Sequence, residues 1–204
     1  MSWQAEAPRL ILASASSARA SLLRAAGLRF DVRPAHIDEA EVRRRASAAH
    51  LAASATALEL ARLKAEHVAR LEPDALVIGC DQLLVLRTQW FEKPVDLETA
   101  RVQLLALRNE THTLVTAVVC QQREKTLWQH VAEPRLTMRD FSDAFLEKYL
   151  SVERDHVTAS VGAYRLEGPG INLFESITGE YSAILGLPLL PLLGFLRAHG
   201  VLLN

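Results

Sequence analysis

The feature that most constrains the fold is an apolar run that ends directly before a carboxylate. Residues 75–80 have the composition of a central β-strand buried on both faces, which predicts an α/β fold, and Asp81 follows them. Ligands of open α/β sheets bind beyond the carboxyl ends of strands, and a charge placed there is costly unless it is paired or metal-bound. Asp81 is therefore the first candidate for the functional site. The alternative is a capping or turn aspartate.

Composition and charge place this strand in one globular chain and exclude several partners. The 204 residues are 50% hydrophobic and 23% charged, which predicts a single domain over residues 1–204. A formal net charge of -1 argues against a broad electrostatic grip on a nucleic acid polymer or an anionic membrane. The longest apolar run, residues 184–196, contains two prolines and is too short to cross a bilayer, so a cytoplasmic protein is expected. An anionic partner must therefore be held by a local cluster of groups.

Hydrophobic periodicity and capping residues predict strands and helices that alternate around a mixed sheet. The opening strand, residues 10–13, leads into a helix that Ser16 caps and Gly27 ends. A long alanine-rich helix is predicted over residues 52–71, and Asp96 is expected to cap the next helix. Further strands are predicted over residues 30–32, 113–120, 127–138 and 171–177, and further helices over residues 142–149, where Ser142 opens the helix, and 188–200.

The turn after the first strand carries the groups of an anion site. Ser14 and Arg19 lie where a helix begins, and the unpaired N–H groups and the dipole of a helix N-terminus favour a phosphate. The glycines and the lysine of a Walker A loop are absent. The same residues also suit an ordinary capped surface helix with solvated arginines, so both interpretations stay open at this point.

Two lysines and an acidic pair are further candidates. Lys64 has apolar residues four positions away on either side, which places it on the apolar stripe of its helix or makes it an amphipathic stem that reaches solvent. Lys93, directly before a proline, equally suits an ordinary loop. Asp38 or Glu39 could join Asp81 as a hard oxygen ligand for a magnesium-type cation, although adjacent carboxylates also suit a solvated turn or a helix cap.

Several common enzyme classes lack their motifs in this chain. No HExxH spacing and no G-x-S-x-G elbow occur, which argues against a zinc hydrolase and an α/β-hydrolase. The glycine-bearing segment 162–170 lacks the G-x-G-x-x-G pattern of dinucleotide-binding domains; Tyr164 and Glu167 within it could contact a base, or the segment is only a tight loop. Cys80 and Cys120, far apart in apolar stretches, predict buried thiols rather than a disulfide.

Short motifs follow one another from the first strand to the last helix: LASASSAR at 12–19, IDE at 37–39, KA at 64–65, IGCDQ at 78–82, KP at 93–94, TH at 111–112, GAY at 162–164 and LGLP at 185–188. Their order and spacing resemble the Maf family of nucleoside triphosphate pyrophosphatases. The resemblance implies an α/β fold with a mixed sheet flanked by helices, elongated and two-lobed in the manner of ITPase-like proteins, with a central cleft. It also implies hydrolysis of a nucleoside triphosphate to the monophosphate and pyrophosphate with a divalent cation, Mg²⁺ or Mn²⁺, and leaves a homodimer open.

Carried over by position, the resemblance implies a role for each candidate. Asp81 would be the catalytic carboxylate, as proton acceptor for the attacking water, as metal ligand, or both, and Glu39 would be the second acidic ligand of the metal. Phosphoanhydride hydrolysis depends on positioning and on charge stabilisation, which such a set of groups supplies. The positions expected to hold phosphates are those of Ser14, Arg19, Lys64 and Lys93.

Three further positions bear on the base. Gln82 and Glu167 resemble the branch that acts on 7-methyl-GTP, whereas the dTTP and UTP branch usually has Thr and Gln at these places. The Glu167 carboxylate could accept hydrogen bonds from guanine N1–H and the 2-amino group. Ala18 departs from the family, which has arginine or tryptophan there, so a stacking surface is lost. The lead substrate is 7-methyl-GTP; the alternatives are a dTTP/UTP-type or broad-specificity pyrophosphatase and a non-catalytic nucleotide-binding regulator of cell division.

Overall fold

The structure is a computed structural model that describes residues 3–203, and its architecture is α/β with a mixed eight-stranded sheet, as predicted. The strands are β1 (Leu10–Leu12), β2 (Asp31–Val32), β3 (Leu76–Leu86), β4 (Gln89–Phe91), β5 (Thr111–Gln122), β6 (Lys125–Ala132), β7 (Arg135–Met138) and β8 (Phe174–Thr178). The α-helices are α1 (Ser17–Ala25), α2 (Glu39–Ala48), α3 (Ala53–Leu71), α4 (Leu97–Leu107), α5 (Asp143–Val152), α6 (Tyr181–Ile184) and α7 (Leu189–Ala198). Two short 3₁₀ helices, Val161–Ala163 and Pro169–Leu173, lie between α5 and β8.

The sheet combines a parallel part with an antiparallel part. Its strand order is β2-β1-β3-β5-β7-β8, with β4 paired to β3 and β6 paired to β5. β1 is parallel to both β2 and β3, and its register with β3 ends where Leu12 pairs with Ile78. β4, β6, β7 and β8 enter antiparallel pairs; short turns join β3 to β4 and β5 to β6, whereas α5 and two 3₁₀ helices lie between β7 and β8.

The chain divides into two compact units, each with its own apolar core. Unit one comprises residues 3–82, 116–132 and 186–203, and unit two comprises residues 83–115 and 133–185. In unit one the largest fully buried side chains include Leu12, Leu23 and Ile78, contributed by β1, α1 and β3. In unit two they include Leu104 and Phe141. The single domain over residues 1–204, the elongated shape and the central cleft stay predictions.

The capping residues identified in the sequence begin their helices as predicted. Ser16, Asp96 and Ser142 each accept a hydrogen bond from the backbone N–H three residues later, which satisfies one of the unpaired donors of a first helical turn. Gly27, just after α1, has a φ of 75°, a conformation that glycine adopts without strain. The long alanine-rich helix is also confirmed as α3.

Three predicted strands differ in their bounds. The predicted strand 127–138 is two strands, β6 and β7, because Pro134 between them has no N–H for the ladder. The first half of the predicted strand 171–177 is instead part of the 3₁₀ helix that begins at Pro169, and β8 starts at Phe174. β3 does not end at Cys80: it continues through Asp81 to Leu86, because the apolar residues beyond Asp81 are buried and its end pairs with β4.

Two further findings concern membrane-spanning helices and the cysteines. No helix within residues 3–203 combines the length and the apolar character needed to span a membrane. Cys80 and Cys120 are both buried and free, as predicted.

Candidate active site

Asp81 lies inside a buried strand but next to a position where the neighbouring strand has ended. Only 3% of Asp81 is exposed, and β1 pairs with β3 no further than Ile78. The prediction that Asp81 stands at the end of its own strand is therefore wrong, although it does lie beyond the carboxyl end of β1. A carboxylate within a strand is tolerated here because cations from two helices reach it.

Gly79 allows the first of these helices, α3, to approach the sheet closely. Side chains alternate along a strand, so Gly79 and Asp81 share a face. A Cβ atom on Gly79 would lie 2.2 Å from the carbonyl oxygen of Ala61 and 2.8 Å from the Cβ of Ala65. The backbone of α3 therefore rests directly on this glycine. Lys64, between those two alanines, reaches Asp81 for this reason.

Lys64 bridges two carboxylates. Its Nζ lies 2.7 Å from Oδ1 of Asp81 and 2.9 Å from Oε1 of Glu39, and the whole residue is only 8% exposed. Lys64 therefore lies on the buried face of its helix, and of the two interpretations open from the sequence the one with an inward-facing lysine is confirmed. Asp38 and Glu39 divide their roles: Asp38 caps α2 by accepting from the N–H of Glu41, whereas Glu39 turns to Lys64.

Arg43 is a second cation of this cluster, and sequence analysis missed it. Its Nη2 donates to Oε2 of Glu39 at 2.9 Å and lies 3.9 Å from Oδ1 of Asp81. The spacing of four residues between Glu39 and Arg43 indicates a contact only if this segment is helical, and the sequence does not predict α2. We call Glu39, Arg43, Lys64 and Asp81 the charged cluster; it contains two cations and two carboxylates.

The cations of this cluster hold the Glu39 carboxylate ionised. Burial raises the pKa of Glu39, but hydrogen bonds and charges from Lys64 and Arg43 outweigh it, so the pKa lies below its usual value. The neighbouring Cys80 thiol behaves in the opposite way, because burial raises its pKa to about 11. A thiolate nucleophile beside Asp81 is therefore not available at neutral pH, and the carboxylates are the basic groups of the site.

The donor set of the cluster fits a hard divalent cation. Oδ2 of Asp81 is buried and has no hydrogen-bond partner among residues 3–203, which leaves one oxygen ready to act as a ligand. Within the same residues no group of three or more metal-binding side chains occurs. Magnesium-type cations commonly use one or two carboxylates and complete their shell with waters and substrate phosphates. Asp81 together with Glu39 meets that requirement.

Ser14 and Arg19 contact each other in unit one, next to the residue that precedes Asp81. Arg19 Nη1 donates to Oγ of Ser14 and to the carbonyl oxygen of Cys80, both at 3.1 Å, and its Nε donates to the carbonyl oxygen of Gly186 at 2.8 Å. Oγ of Ser14 also accepts from the N–H of Ser16. Arg19 thus links α1 to the residue that precedes Asp81, which puts the predicted phosphate-binding pair beside the charged cluster.

The positions predicted to read the base fall in both units. In unit one, Nε2 of Gln82 donates to Oγ1 of Thr116 at 2.8 Å, and Ala18 lies half-buried on α1. In unit two, Glu167 is exposed in the turn between the two 3₁₀ helices. Lys93 is exposed directly after β4, also in unit two. The predicted convergence of Lys93 with Arg19 and Lys64 therefore stays a prediction.

The segment that carries Glu167 is anchored by a buried ion pair. Arg165 donates from Nε and Nη2 to the two carboxylate oxygens of Glu153, at 3.0 and 3.1 Å, and the Glu153 side chain is only 5% exposed. Gly170 is required because a Cβ there would lie 2.5 Å from the carbonyl oxygen of Arg165. These contacts hold the backbone of the turn in place, as recognition of a ligand by a side chain requires.

A mixed sheet flanked by helices, a buried carboxylate paired with cations and an adjacent Ser–Arg pair define a protein suited to phosphate chemistry. The chain belongs to the family described as "Maf-like protein", whose pattern it matches over residues 9–199. It is 54% identical over 194 residues to a Granulibacter bethesdensis protein named "Nucleoside triphosphate pyrophosphatase", covering 95% of this chain and 98% of that protein.

Two further relatives carry a more specific name. The chain is 45% identical over 195 residues to "7-methyl-GTP pyrophosphatase" of Rhizobium meliloti, with 96% of this chain and 98% of that protein covered. It is 46% identical over 189 residues to a Brucella abortus protein of the same name, with 93% and 95% covered. The family resemblance seen in the sequence motifs is therefore confirmed over almost the whole chain.

Proposed function

We propose that this chain, a nucleoside triphosphate pyrophosphatase, acts on 7-methyl-GTP and releases 7-methyl-GMP and pyrophosphate by attack of water. The observation that carries the proposal is the state of Asp81: one carboxylate oxygen is paired with Lys64 and the other is buried without a hydrogen-bond partner among the described residues. A carboxylate with one oxygen available is the group that a water-activating site needs.

Asp81 has two ways to use that oxygen. It accepts the proton of the attacking water, or it binds the divalent cation, Mg²⁺ or Mn²⁺, with Glu39 as the second carboxylate. When bound, the cation would neutralise part of the charge of the triphosphate and polarise its phosphoryl oxygens. Glu39 is ionised near neutral pH because Lys64 and Arg43 lower its pKa, so it serves as a ligand without losing a proton first.

The cations of the site are assigned to the phosphates. Lys64 lies within reach of both carboxylates, so an arriving triphosphate, with about four negative charges, competes with them for its ammonium group. Ser14 and Arg19 lie at the N-terminus of α1, whose unpaired N–H groups add to the attraction for an anion. Lys93, in unit two, is proposed as the fourth phosphate-binding residue.

Recognition of the base is assigned to Gln82 and Glu167. A carboxylate accepts from the two guanine donors and also suits a methylated, cationic purine, which a glutamine does less well. The names of the Rhizobium and Brucella relatives agree with this choice. Ala18 offers only a methyl group, so we propose that the base is read by hydrogen bonds more than by stacking.

The test is pyrophosphate release from a panel of nucleotides that includes 7-methyl-GTP, GTP, dTTP and UTP, with Mg²⁺ and with Mn²⁺. We expect 7-methyl-GTP to have the highest kcat/KM, and E167Q to lose at least about tenfold for 7-methyl-GTP relative to UTP, since one charged hydrogen-bond contact contributes about 1.5–3 kcal/mol. E124Q, which changes an exposed glutamate in the turn between β5 and β6, is the matched control and should leave the ranking unchanged.

Each contrary outcome has a meaning. A preference for dTTP or UTP, or equal rates on all four nucleotides, would replace 7-methyl-GTP by the dTTP/UTP-type or the broad-specificity alternative. An unchanged ranking in E167Q would remove Glu167 from the base site. Tight nucleotide binding with no turnover under either metal would support a nucleotide-binding regulator instead of an enzyme.

A further inference from the structure

Arg43 is the one member of the charged cluster for which the proposed hydrolysis has no role. It lies on α2, one turn after Glu39, and only 24% of its side chain is exposed. Nη2 contacts Oε2 of Glu39 and is 3.9 Å from Oδ1 of Asp81. Its Nε is buried and has no hydrogen-bond partner among residues 3–203. The guanidinium thus lies near both carboxylates, and its Nε–H is available to donate a further hydrogen bond.

The position of Arg43 relative to Lys64 is informative. Both cations point to the same oxygen, Oδ1 of Asp81, but Lys64 is at 2.7 Å and Arg43 at 3.9 Å. On Glu39 the two cations divide the carboxylate, with Lys64 on Oε1 and Arg43 on Oε2. Arg43 is therefore the more distant of the two cations at Asp81, whereas at Glu39 each cation contacts its own carboxylate oxygen.

Binding of a triphosphate would disturb this balance. If Lys64 turns toward the phosphates, the buried Asp81 and the partly exposed Glu39 lose the cation that they share, and their like charges repel. A second fixed cation prevents this. Arginine suits the task because its guanidinium stays protonated and offers five N–H donors in a planar arrangement.

We propose that Arg43 is a positioning residue that takes the place of Lys64 at Asp81 and Glu39 when Lys64 binds the phosphates of the substrate. The inference rests on the proposed function, because it requires that Lys64 turns to a nucleotide. Arg43 approaches Oδ1, the oxygen that Lys64 vacates, and so leaves Oδ2 available for the water or the cation. Arg43 itself does not touch the substrate.

Helix α2 provides a matched control for this residue. Arg44, the next residue, pairs with Glu41, and 73% of its side chain is exposed. The pairs Glu39–Arg43 and Glu41–Arg44 therefore consist of the same residue types on the same helix, one in the cluster and one in solvent. A substitution of Arg44 tests the loss of an arginine from α2 without a change at the two carboxylates.

The experiment measures kcat and KM for the unmodified chain, R43Q, R43K and R44Q on the nucleotide with the highest turnover, together with the thermal midpoint of each. We expect R43Q to lower kcat about 10- to 100-fold while KM changes less than about threefold, because the carboxylates are displaced but the phosphate contacts are intact. R43K should recover part of the kcat, and R44Q should match the unmodified chain.

A double-mutant cycle tests whether Arg43 acts through Glu39. Arg43 is proposed to act on both carboxylates, so the losses of kcat in R43Q and E39Q should combine to less than their product, whereas E41Q and R44Q should each be silent and additive. Independent, multiplied losses in R43Q/E39Q would overturn the proposal, since Arg43 would then act without Glu39.

The remaining outcomes separate this proposal from the proposed function. An unmodified chain that releases no pyrophosphate overturns the function and the Arg43 proposal together. Turnover that is unchanged in R43Q, or an increase in KM at unchanged kcat, overturns only the Arg43 proposal, since the latter result makes Arg43 a substrate contact. If R43Q does not fold, R43K decides: a kcat several-fold lower at unchanged KM supports the proposal, and an unchanged kcat overturns it.

Discussion

The charged cluster of unit one and a histidine–tyrosine pair of unit two bury polar side chains in opposite ways. In the cluster, Lys64 contacts the buried Asp81 and the partly exposed Glu39. Unit two buries a neutral pair: Nε2 of His112 lies 2.7 Å from the hydroxyl of Tyr164, and His112 is only 1% exposed. Burial lowers the pKa of His112 to about 4, so this imidazole is uncharged at neutral pH.

The difference separates a structural contact from a chemical one. A neutral hydrogen-bonded pair packed among aromatic rings, as His112 and Tyr164 are with Phe174, buries no charge, although Nδ1 of His112 has no hydrogen-bond partner among residues 3–203. Buried charges are expensive, and apolar replacements of similar volume are often as stable, so a charged cluster is weak evidence for stability. Clusters of this kind concentrate at functional sites. The proposal therefore assigns the chemistry to the charged cluster of unit one, whereas the His112–Tyr164 pair is expected to support the fold.

The largest expected effect is loss of turnover in D81N. The amide cannot accept the proton of water and is a poor metal ligand, so kcat should fall about 10²- to 10⁴-fold. The fold should be retained because Glu39 still compensates Lys64. The measurement is pyrophosphate release, with circular dichroism to follow folding. D74N, at an aspartate whose side chain is 91% exposed, is the control. An unfolded D81N would reverse the contrast by making Asp81 a structural residue.

The second effect is a pH dependence of stability that belongs to His112. Its pKa is about 4 in the folded chain, against 6.5 ordinarily, so the unfolded chain binds more protons between these values. The free energy of unfolding should therefore fall by an amount on the order of 3 kcal/mol as the pH is lowered from about 6.5 to about 4. The pKa of Glu39 is lowered, so its ionised form stabilises the folded chain above pH 4.5. Glu39 therefore adds to the pH dependence of stability only below its ordinary pKa of 4.5, where it protonates and this stabilisation is lost.

Urea unfolding of H112F at a series of pH values isolates this effect. The variant should lose most of the dependence above pH 4.5 and should be about 1–3 kcal/mol less stable at pH 7, because the Tyr164 hydroxyl loses its partner. Its kcat should stay within about twofold of the unmodified chain. H156F, at an exposed histidine of unit two, is the control and should keep the pH dependence. A large loss of kcat in a folded H112F would contradict the contrast between the units.

The smallest expected effect is that of G79A, which changes stability and chemistry together. The added methyl would lie 2.2 Å from the carbonyl oxygen of Ala61, so α3 must move and carry Lys64 with it. We expect a loss of about 1–3 kcal/mol in the free energy of unfolding and a lower kcat. G194A is the control: Gly194 lies within α7 with no atom in the way of a Cβ, so alanine should stabilise the helix by about 0.5–1 kcal/mol. Normal activity in G79A would show that the cluster does not depend on this close approach.

Local sequence signals predicted most of the secondary structure because they act over a few residues. The caps Ser16, Asp96 and Ser142 hydrogen-bond within their own first turn, so neighbouring residues suffice to identify them. Errors arose where a distant partner decides. β3 runs on through Asp81 because buried leucines follow it and β4 pairs with its end. α2 was missed because it is polar and has only one buried residue, Ala46, so its periodicity is weak.

The candidate site was predictable in its residue types and only partly in its geometry. The sequence singled out Asp81, Lys64 and Glu39, and the structure brings these three together. It could not indicate that Arg43 joins them, because that contact depends on how α2 packs against α3 and the sheet. Lys93 and Glu167 were assigned by resemblance, and they stay proposals for the phosphates and the base.

The sequence by itself determined the α/β alternation, the helix caps, the family and the carboxylate on a buried strand, because these follow from short-range patterns of polarity and from short motifs. Only the tertiary structure decided which charges meet. The glycine at position 79 shows the reason: its missing side chain lets α3 rest on the sheet, and that contact, made between residues far apart in the chain, sets the distance from Lys64 to Asp81. Charge compensation depends on such distances, and no local sequence pattern determines the distance between residues that are far apart in the chain.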